Sequence, residues 1–282
     1  MKDVKVAGID FDSAATNHDP HIIGVFGDEH CGKTRLALTG PSGIGCVVTE
    51  MKSYLTITKD STEYGKRVLK PTDPMALIAS NRKLNAMKSA TEQQKYYIEL
   101  VKRIENVTYA LLENPEVRIV MIDKFTAYCH YKEFAVNGME PNYIKIDGAV
   151  RQRKAEVIQG IVDFVNALSE YGKPVMLLCS TRPDFDYLDK DGHPLRNTWN
   201  CGSFYYLGSH TNLTVELIDN KFWRPDSKKA DERWHYRLNV RRCQKRPELE
   251  GPEGSPLLED DGITLTNLIT MIEPDVDVEA WM

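Results

Sequence analysis

Four short, almost unbroken apolar runs punctuate the first two thirds of the chain: HIIGVFG (21–27), IGCVVTE (44–50), VRIVMID (117–123) and PVMLLCST (174–181). Runs of this length without alternation are the pattern of strands buried on both faces, as in a parallel sheet covered by helices. Between them the period changes. Tyr97, Ile98, Val101, Ile104, Thr108, Leu111 and Leu112 recur at helical spacing, opened by a capping box of Thr91 and Gln94 and stopped by Asn114-Pro115. Val150, Val157, Ile158, Ile161, Val165 and Leu168 form a second stripe, with Asp147 as its cap and Gly172 as its stop. Residues 1–20 are polar and aperiodic, an arm or a short edge strand, and the stretch from 51 to about 75 reads as irregular.

Beyond 181 the pattern shifts again. A loop rich in Gly, Asp, Asn and aromatics (182–211) leads to two alternating segments, 212–223 and 234–243, which read as antiparallel strands added at the C-terminal edge of the sheet. Residues 248–262 read as linker, and ITLTNLITMI (263–272) as a short helix using Leu265, Leu268, Ile269 and Ile272. The expectation is one α/β domain over 21–247, a mostly parallel sheet with helices on both faces. An N-terminal arm (1–20) and an acidic linker and tail (248–282) flank it.

Composition changes this picture little. With 282 residues, 41% hydrophobic and 27% charged, the chain has the make-up of a globular protein able to bury a sizeable core. No run approaches the roughly 18 apolar residues of a membrane span, and the N-terminus has no apolar core of a secretory signal. Six scattered cysteines without CxxC pairs point to a reduced, cytoplasmic chain with neither a disulfide framework nor a zinc site. Charge matters more. Residues 248–282 hold ten acids and no Lys or Arg, so the net −5 conceals a basic body with all 36 Lys and Arg against 31 of the 41 acids. An anionic partner for that body is therefore not excluded.

The sharpest chemical signal is Gly27-Asp28-Glu29-His30-Cys31-Gly32-Lys33-Thr34, which fits the phosphate-loop pattern G-x-x-x-x-G-K-[ST] where a strand meets a helix. Glycines let consecutive backbone amides turn toward phosphate oxygens, Lys33 reaches the outer phosphates, and the Thr34 hydroxyl completes a Mg²⁺ shell. The adjoining Arg35 opens a helix whose N-terminal dipole favours the anion. Asp123 closes the third apolar run, where an acid can hold a Mg²⁺-bound water. It is followed by Lys124, so no carboxylate directly after it can serve as the base. Glu50, closing the strand after the phosphate loop, supplies a carboxylate able to orient a water and take its proton.

The order of these features resembles the RecA-like ATPase cores, particularly the short bacteriophage recombination ATPases that work beside single-strand annealing proteins. The resemblance covers about 20–247 and implies ATP with Mg²⁺ as cofactors, a homo-oligomer, and single-stranded DNA and a single-strand-binding or annealing protein as partners. It also implies a polar sensor of the terminal phosphate after the fourth strand, at Ser180, Thr181 or Arg182. A basic pair reaching a neighbour's nucleotide falls on Lys245 and Arg246. Two departures stand out: the loop reads DEHC where relatives have more glycine, and 51–90 matches nothing in the pattern. A nucleotide or small-molecule kinase and a non-catalytic nucleotide switch remain as alternatives.

Two regions suit DNA. Phe185, Tyr187, Trp199, Phe204, Tyr205 and Tyr206, with Lys190 and Arg196, could stack on bases or pack among themselves. Arg151, Arg153 and Lys154 open a helix where the dipole disfavours cations, which suits either an anionic partner or a solvated face. The acidic tail suits a partner's basic groove, the chain's own DNA site, or a solubilising role.

Overall fold

The chain opens with an antiparallel pair, β1 (Val4–Val6) and β2 (Ile9–Phe11), that stands apart from the main sheet. The four apolar runs then become β3 (Ile22–Gly27), β4 (Ile44–Val48), β6 (Ile119–Asp123) and β7 (Val175–Pro183). Helix α1 (Lys33–Leu38) joins β3 to β4, and α2 (Met51–Glu63) leads to the short β5 (Val68–Leu69). Between β5 and β6 run α3 (Asn81–Ala86) and α4 (Ala90–Glu113). Helices α5 (Phe125–Asn137) and α6 (Gly148–Leu168) precede β7. Strands β8 (Asn197–Asn200), β9 (Leu213–Ile218), β10 (Tyr236–Cys243) and β11 (Leu258–Asp260) and helix α7 (Leu265–Ile272) complete the chain. The computed structural model describes residues 4–6, 9–11, 21–29, 31–63, 65–138, 148–183, 188–194, 197–200, 207–218, 236–249, 258–260 and 264–272.

The sheet order is β11-β10-β9-β3-β7-β6-β4-β5, with β8 added antiparallel to the far end of β7. From β9 through β5 every neighbouring pair is parallel, and β10 and β11 are antiparallel. Alternate residues of each parallel strand feed two cores. On one face Phe26, Val47, Val120, Ile122 and Leu177 meet Val101, Ile104, Tyr128, Val157 and Phe164 of α4, α5 and α6. On the other, Ile23, Val25, Cys46, Met121 and Leu178 meet Leu36 and Leu38 of α1, Ile57 of α2 and Leu268 of α7. The result is the expected three-layer α/β fold, a mostly parallel sheet with helices on both faces, in which burial on both faces accounts for the unbroken apolar runs.

Several expectations need correction. The cap of α4 is Ser89, whose hydroxyl accepts from Glu92 N at 3.2 Å, not Thr91; Gln94 instead donates to the carbonyls of Ala135 and Val136 at the end of α5. Residues 51–63 are helical rather than irregular. The segment expected as a first antiparallel strand, β9, runs parallel to β3. Its alternation misleads because Thr214 and Glu216 lie on a buried face supplied with polar partners: Thr211 with Thr214, Asn239 and Arg241 with Glu216. Asp147, the expected cap of α6, lies outside the described residues.

The expected tail region also contributes to the domain. β11 pairs with β10, and α7 seats Leu265, Leu268 and Ile269 in the second core, with Leu265 N donating to Thr39 Oγ1 at 2.9 Å beside the end of α1. Five cysteines, Cys31, Cys46, Cys129, Cys179 and Cys243, are thiols buried in these cores. Among the described residues no helix is long and apolar enough to cross a membrane. Because Leu268 is 0% exposed between α7 and the sheet, Leu268→Ala should cost about 2–5 kcal/mol. The drop in urea midpoint measures it, and a loss below about 0.5 kcal/mol would contradict this packing.

Candidate functional site

One row of residues sets the level of the site. Val25, Leu178, Asp123 and Val48 stand side by side across β3, β7, β6 and β4. Gly27, Ser180 and Glu50 each lie two residues beyond that row, so the three strand tips open on the same side of the sheet. Carboxyl ends of parallel strands, where the connections diverge, are where such sheets bind ligands. A cleft of about 310 Å³ lies there, lined among others by Lys33, Thr34, Glu50, Asp123, Lys124 and Ser180.

Two glycines shape the loop out of β3. A Cβ on Gly27 would stand 2.5 Å from Cys31 Sγ and 2.6 Å from Leu217 O, so only glycine fits without a shift of backbone. Gly32 caps α1 at φ 97°, a left-handed conformation that side chains resist. Lys33 folds back over the turn, and its Nζ donates to the carbonyls of Gly27 and Asp28 at 2.7 Å each, with Cys31 Sγ at 3.6 Å. Burial pushes the Cys31 thiol pKa up, against the pull of this ammonium. Asp28 is tied to β7 through a bond from Thr181 Oγ1 to its Oδ1. His30 lies outside the described residues. Glu29 is exposed, 3.8 Å from Lys52 Nζ, a surface pair that contributes little. Arg35 also lines the cleft, but its Nε is engaged at 2.6 Å by Asp60 Oδ2, a buried carboxylate on α2. That bond ties α1 to α2.

Across the cleft, Asp123 is 5% exposed and receives two hydroxyls: Thr34 Oγ1 at 2.6 Å on Oδ2 and Ser53 Oγ at 3.2 Å on Oδ1. Burial raises its pKa above the ordinary carboxylate value, while the two hydroxyls and Lys33 pull it back and Glu50 adds to the rise. Two hydroxyls and a carboxylate in one cleft are the hard oxygen donors that suit Mg²⁺, which characteristically completes its shell with phosphate oxygens and water. Thr34, Asp123 and Ser53 therefore fit a Mg²⁺–nucleotide. Beside them Glu50, at the start of α2, meets Lys124 Nζ at 3.2 Å.

Thr49 stitches these last two segments together. Its amide donates to Asp123 O at 2.7 Å, its hydroxyl donates to Lys124 O at 2.9 Å, and it accepts from Lys124 N at 3.3 Å. The Asp123–Lys124 peptide held in this way is cis.

The geometry gathers Gly32, Lys33, Thr34, Glu50 and Asp123 around one cleft, Ser180 lines it as well, and Gly27 lies in the turn under Lys33. Thr181 contacts the loop through Asp28, and Arg182 is half-buried further along β7. Lys245 and Arg246 are not gathered. They follow β10, whose Cys243 pairs with Leu213 at the level of Ile23, the opposite end of the sheet from Gly27. Phe185, Tyr187, Arg196, Phe204, Tyr205, Tyr206 and residues 273–282 lie outside the described residues, as do the side chains of Arg151, Arg153 and Trp199. Ser53 and Thr49 carry functions that pattern reading misses. A hydroxyl three residues after Glu50, on one helix face with it, is the signal that could have found Ser53.

No known family profile matches the chain. No curated protein matches it. Among solved structures, a KaiC-like protein from the hyperthermophilic archaeon Pyrococcus horikoshii OT3 aligns over 80% of this chain and 81% of its own, with 11% identity and a TM-score of 0.37. A likeness this distant bears on neither chemistry nor partners, which rest on the geometry above.

A pH prediction follows from the buried carboxylate. Its folded pKa is raised, so the charged form weakens the fold at neutral pH, and the penalty fades as pH falls through that raised value and is gone below the unfolded value near about 4. Asp123→Asn should therefore raise the urea midpoint of the metal-free protein at pH 7 more than at pH 4. A gain independent of pH would contradict the assignment.

Proposed function

We propose that the chain is a Mg²⁺-dependent RecA-like ATPase that works as an oligomer on single-stranded DNA in phage-type recombination or replication. The observation that carries the ATPase reading is the Thr34–Asp123 bond at 2.6 Å, placed beside Lys33 and Glu50 in one cleft. Lys33 leaves the Gly27 and Asp28 carbonyls for the outer phosphates of ATP, whose oxygens offer it stronger, charge-assisted bonds. Thr34, through its hydroxyl oxygen, and Asp123, through a water, would hold Mg²⁺. Mg²⁺ supplies neutralisation of the charge that develops on the phosphates. Glu50 orients a water, whose oxygen bonds to the terminal phosphorus as the bond to the bridging oxygen breaks. The water's proton passes to Glu50, and ADP and phosphate are released. Ser180 supports sensing of the terminal phosphate from the tip of β7.

The DNA part of the reading rests on the resemblance noted above and on location. The excursion between β7 and β8 leaves the sheet at the nucleotide end, from the strand whose Thr181 holds the phosphate loop. Its tip exposes Leu188 and Lys190. Lys245 and Arg246, remote from the chain's own cleft, act in this reading on a neighbour's nucleotide.

Lys33→Ala should abolish phosphate release, and normal turnover in that variant would remove the loop assignment. Glu50→Gln should keep ATP binding and lose at least about a hundredfold in turnover. Equal loss of both would point to another base. Phosphate release should rise with single-stranded DNA and stay indifferent to small acceptors. Dependence on an acceptor would make the protein a kinase, and negligible release under all conditions would make it a switch.

A further inference from the structure

The residue after the metal-side acid is a lysine, and its placement gives it a use. Thr49 fixes the Lys124 backbone through bonds at 2.9 and 3.3 Å to its carbonyl and amide, and Lys124 lines the cleft. There Nζ meets Glu50 Oε1 at 3.2 Å, with the two side chains 27% and 38% exposed. A pair exposed to this extent is weak and readily exchanged for a partner of higher charge. Lys33 faces the cleft from the β3 side, and Lys124 and Glu50 face it from the tips of β6 and β4. For a nucleotide held between Lys33 and the Thr34–Asp123 pair, Lys124 and Glu50 would form the second wall of the same cleft.

We infer that Lys124 reads the terminal phosphate and releases Glu50 when it does so. Without that phosphate the ammonium neutralises the carboxylate meant to receive a proton, and water is not activated. With it, the ammonium moves to the phosphate oxygens, which carry more charge and accept several donors, and Glu50 is left to take the proton of the attacking water. ADP lacks the group that draws Lys124 away, so the pair re-forms after each turnover. This inference rests on the ATPase reading and adds to Ser180 a cationic sensor wired to the base.

The test is calorimetric titration of the full chain, with Mg²⁺, by ADP and by a non-hydrolysed ATP analogue, in wild type, Lys124→Ala and Lys124→Arg. Wild type should favour the triphosphate. In Lys124→Ala the triphosphate should bind about tenfold more weakly while ADP affinity holds, so the ratio collapses. Lys124→Arg, which keeps the charge, should restore much of the ratio. The side chain is partly exposed, and unaltered far-ultraviolet circular dichroism confirms that the variants fold. An unchanged ratio in Lys124→Ala, or equal weakening of both nucleotides, overturns the inference and leaves the ATPase reading standing. Wild-type protein that binds neither nucleotide overturns both.

Discussion

The cleft depends on a hydroxyl and a carboxylate meeting across an intervening strand. Thr34 follows the loop from β3, and Asp123 ends β6, yet β7 lies between those strands. Their 2.6 Å bond forms because the sheet register sets Val25, Leu178 and Asp123 level, and because Gly27 and Gly32 let the chain turn tightly back over the strand tips. Burial of Asp123 makes the arrangement demanding. A carboxylate 5% exposed costs stability unless donors surround it, and Thr34 and Ser53 are those donors.

The same constraint explains the walls of the cleft. Helix α2 has one fully buried apolar residue, Ile57, and is held largely by polar ties: Asp60 to Arg35, Ser53 to Asp123, and Glu50 to Lys124. An element fastened by such bonds is poised to respond to charge in the cleft in a way that an element fastened by a wide apolar face is not. Its neighbour α1 is short and is backed by α7, so residues near the end of the chain support the phosphate loop from behind.

Much of this was legible in the sequence, and the reasons for the rest are physical. The parallel strands declared themselves because burial on two faces demands uninterrupted apolar residues. The phosphate loop did so because few residue types satisfy its turn. Helix α2 stayed hidden since Ser, Thr and Lys dominate it and its apolar residues do not mark the face that packs: Met51 and Leu55 are exposed while Ile57 is buried. Helix α5 was equally obscure: Phe125, Tyr128, Cys129, Tyr131 and Ala135 are all buried, so its pattern is broad, and aromatics favour strands. β9 looked antiparallel because Glu216 sits on a polar face with Arg241 and Asn239, a pairing that spacing along the chain does not reveal. Thr49 and Ser53 have ordinary local surroundings in sequence. Their partners, Asp123 and Lys124, are some seventy residues away.

Lys33 and the Thr34–Asp123 pair suit a receptor for a Mg²⁺-bound nucleoside triphosphate. A crystal structure grown with Mg²⁺ and a non-hydrolysed ATP analogue tests it most directly. The expected result is Lys33 Nζ off the Gly27 and Asp28 carbonyls and on the outer phosphates, with Thr34 Oγ1 on the metal. A nucleotide seated elsewhere, with Lys33 still folded onto those carbonyls, would contradict it.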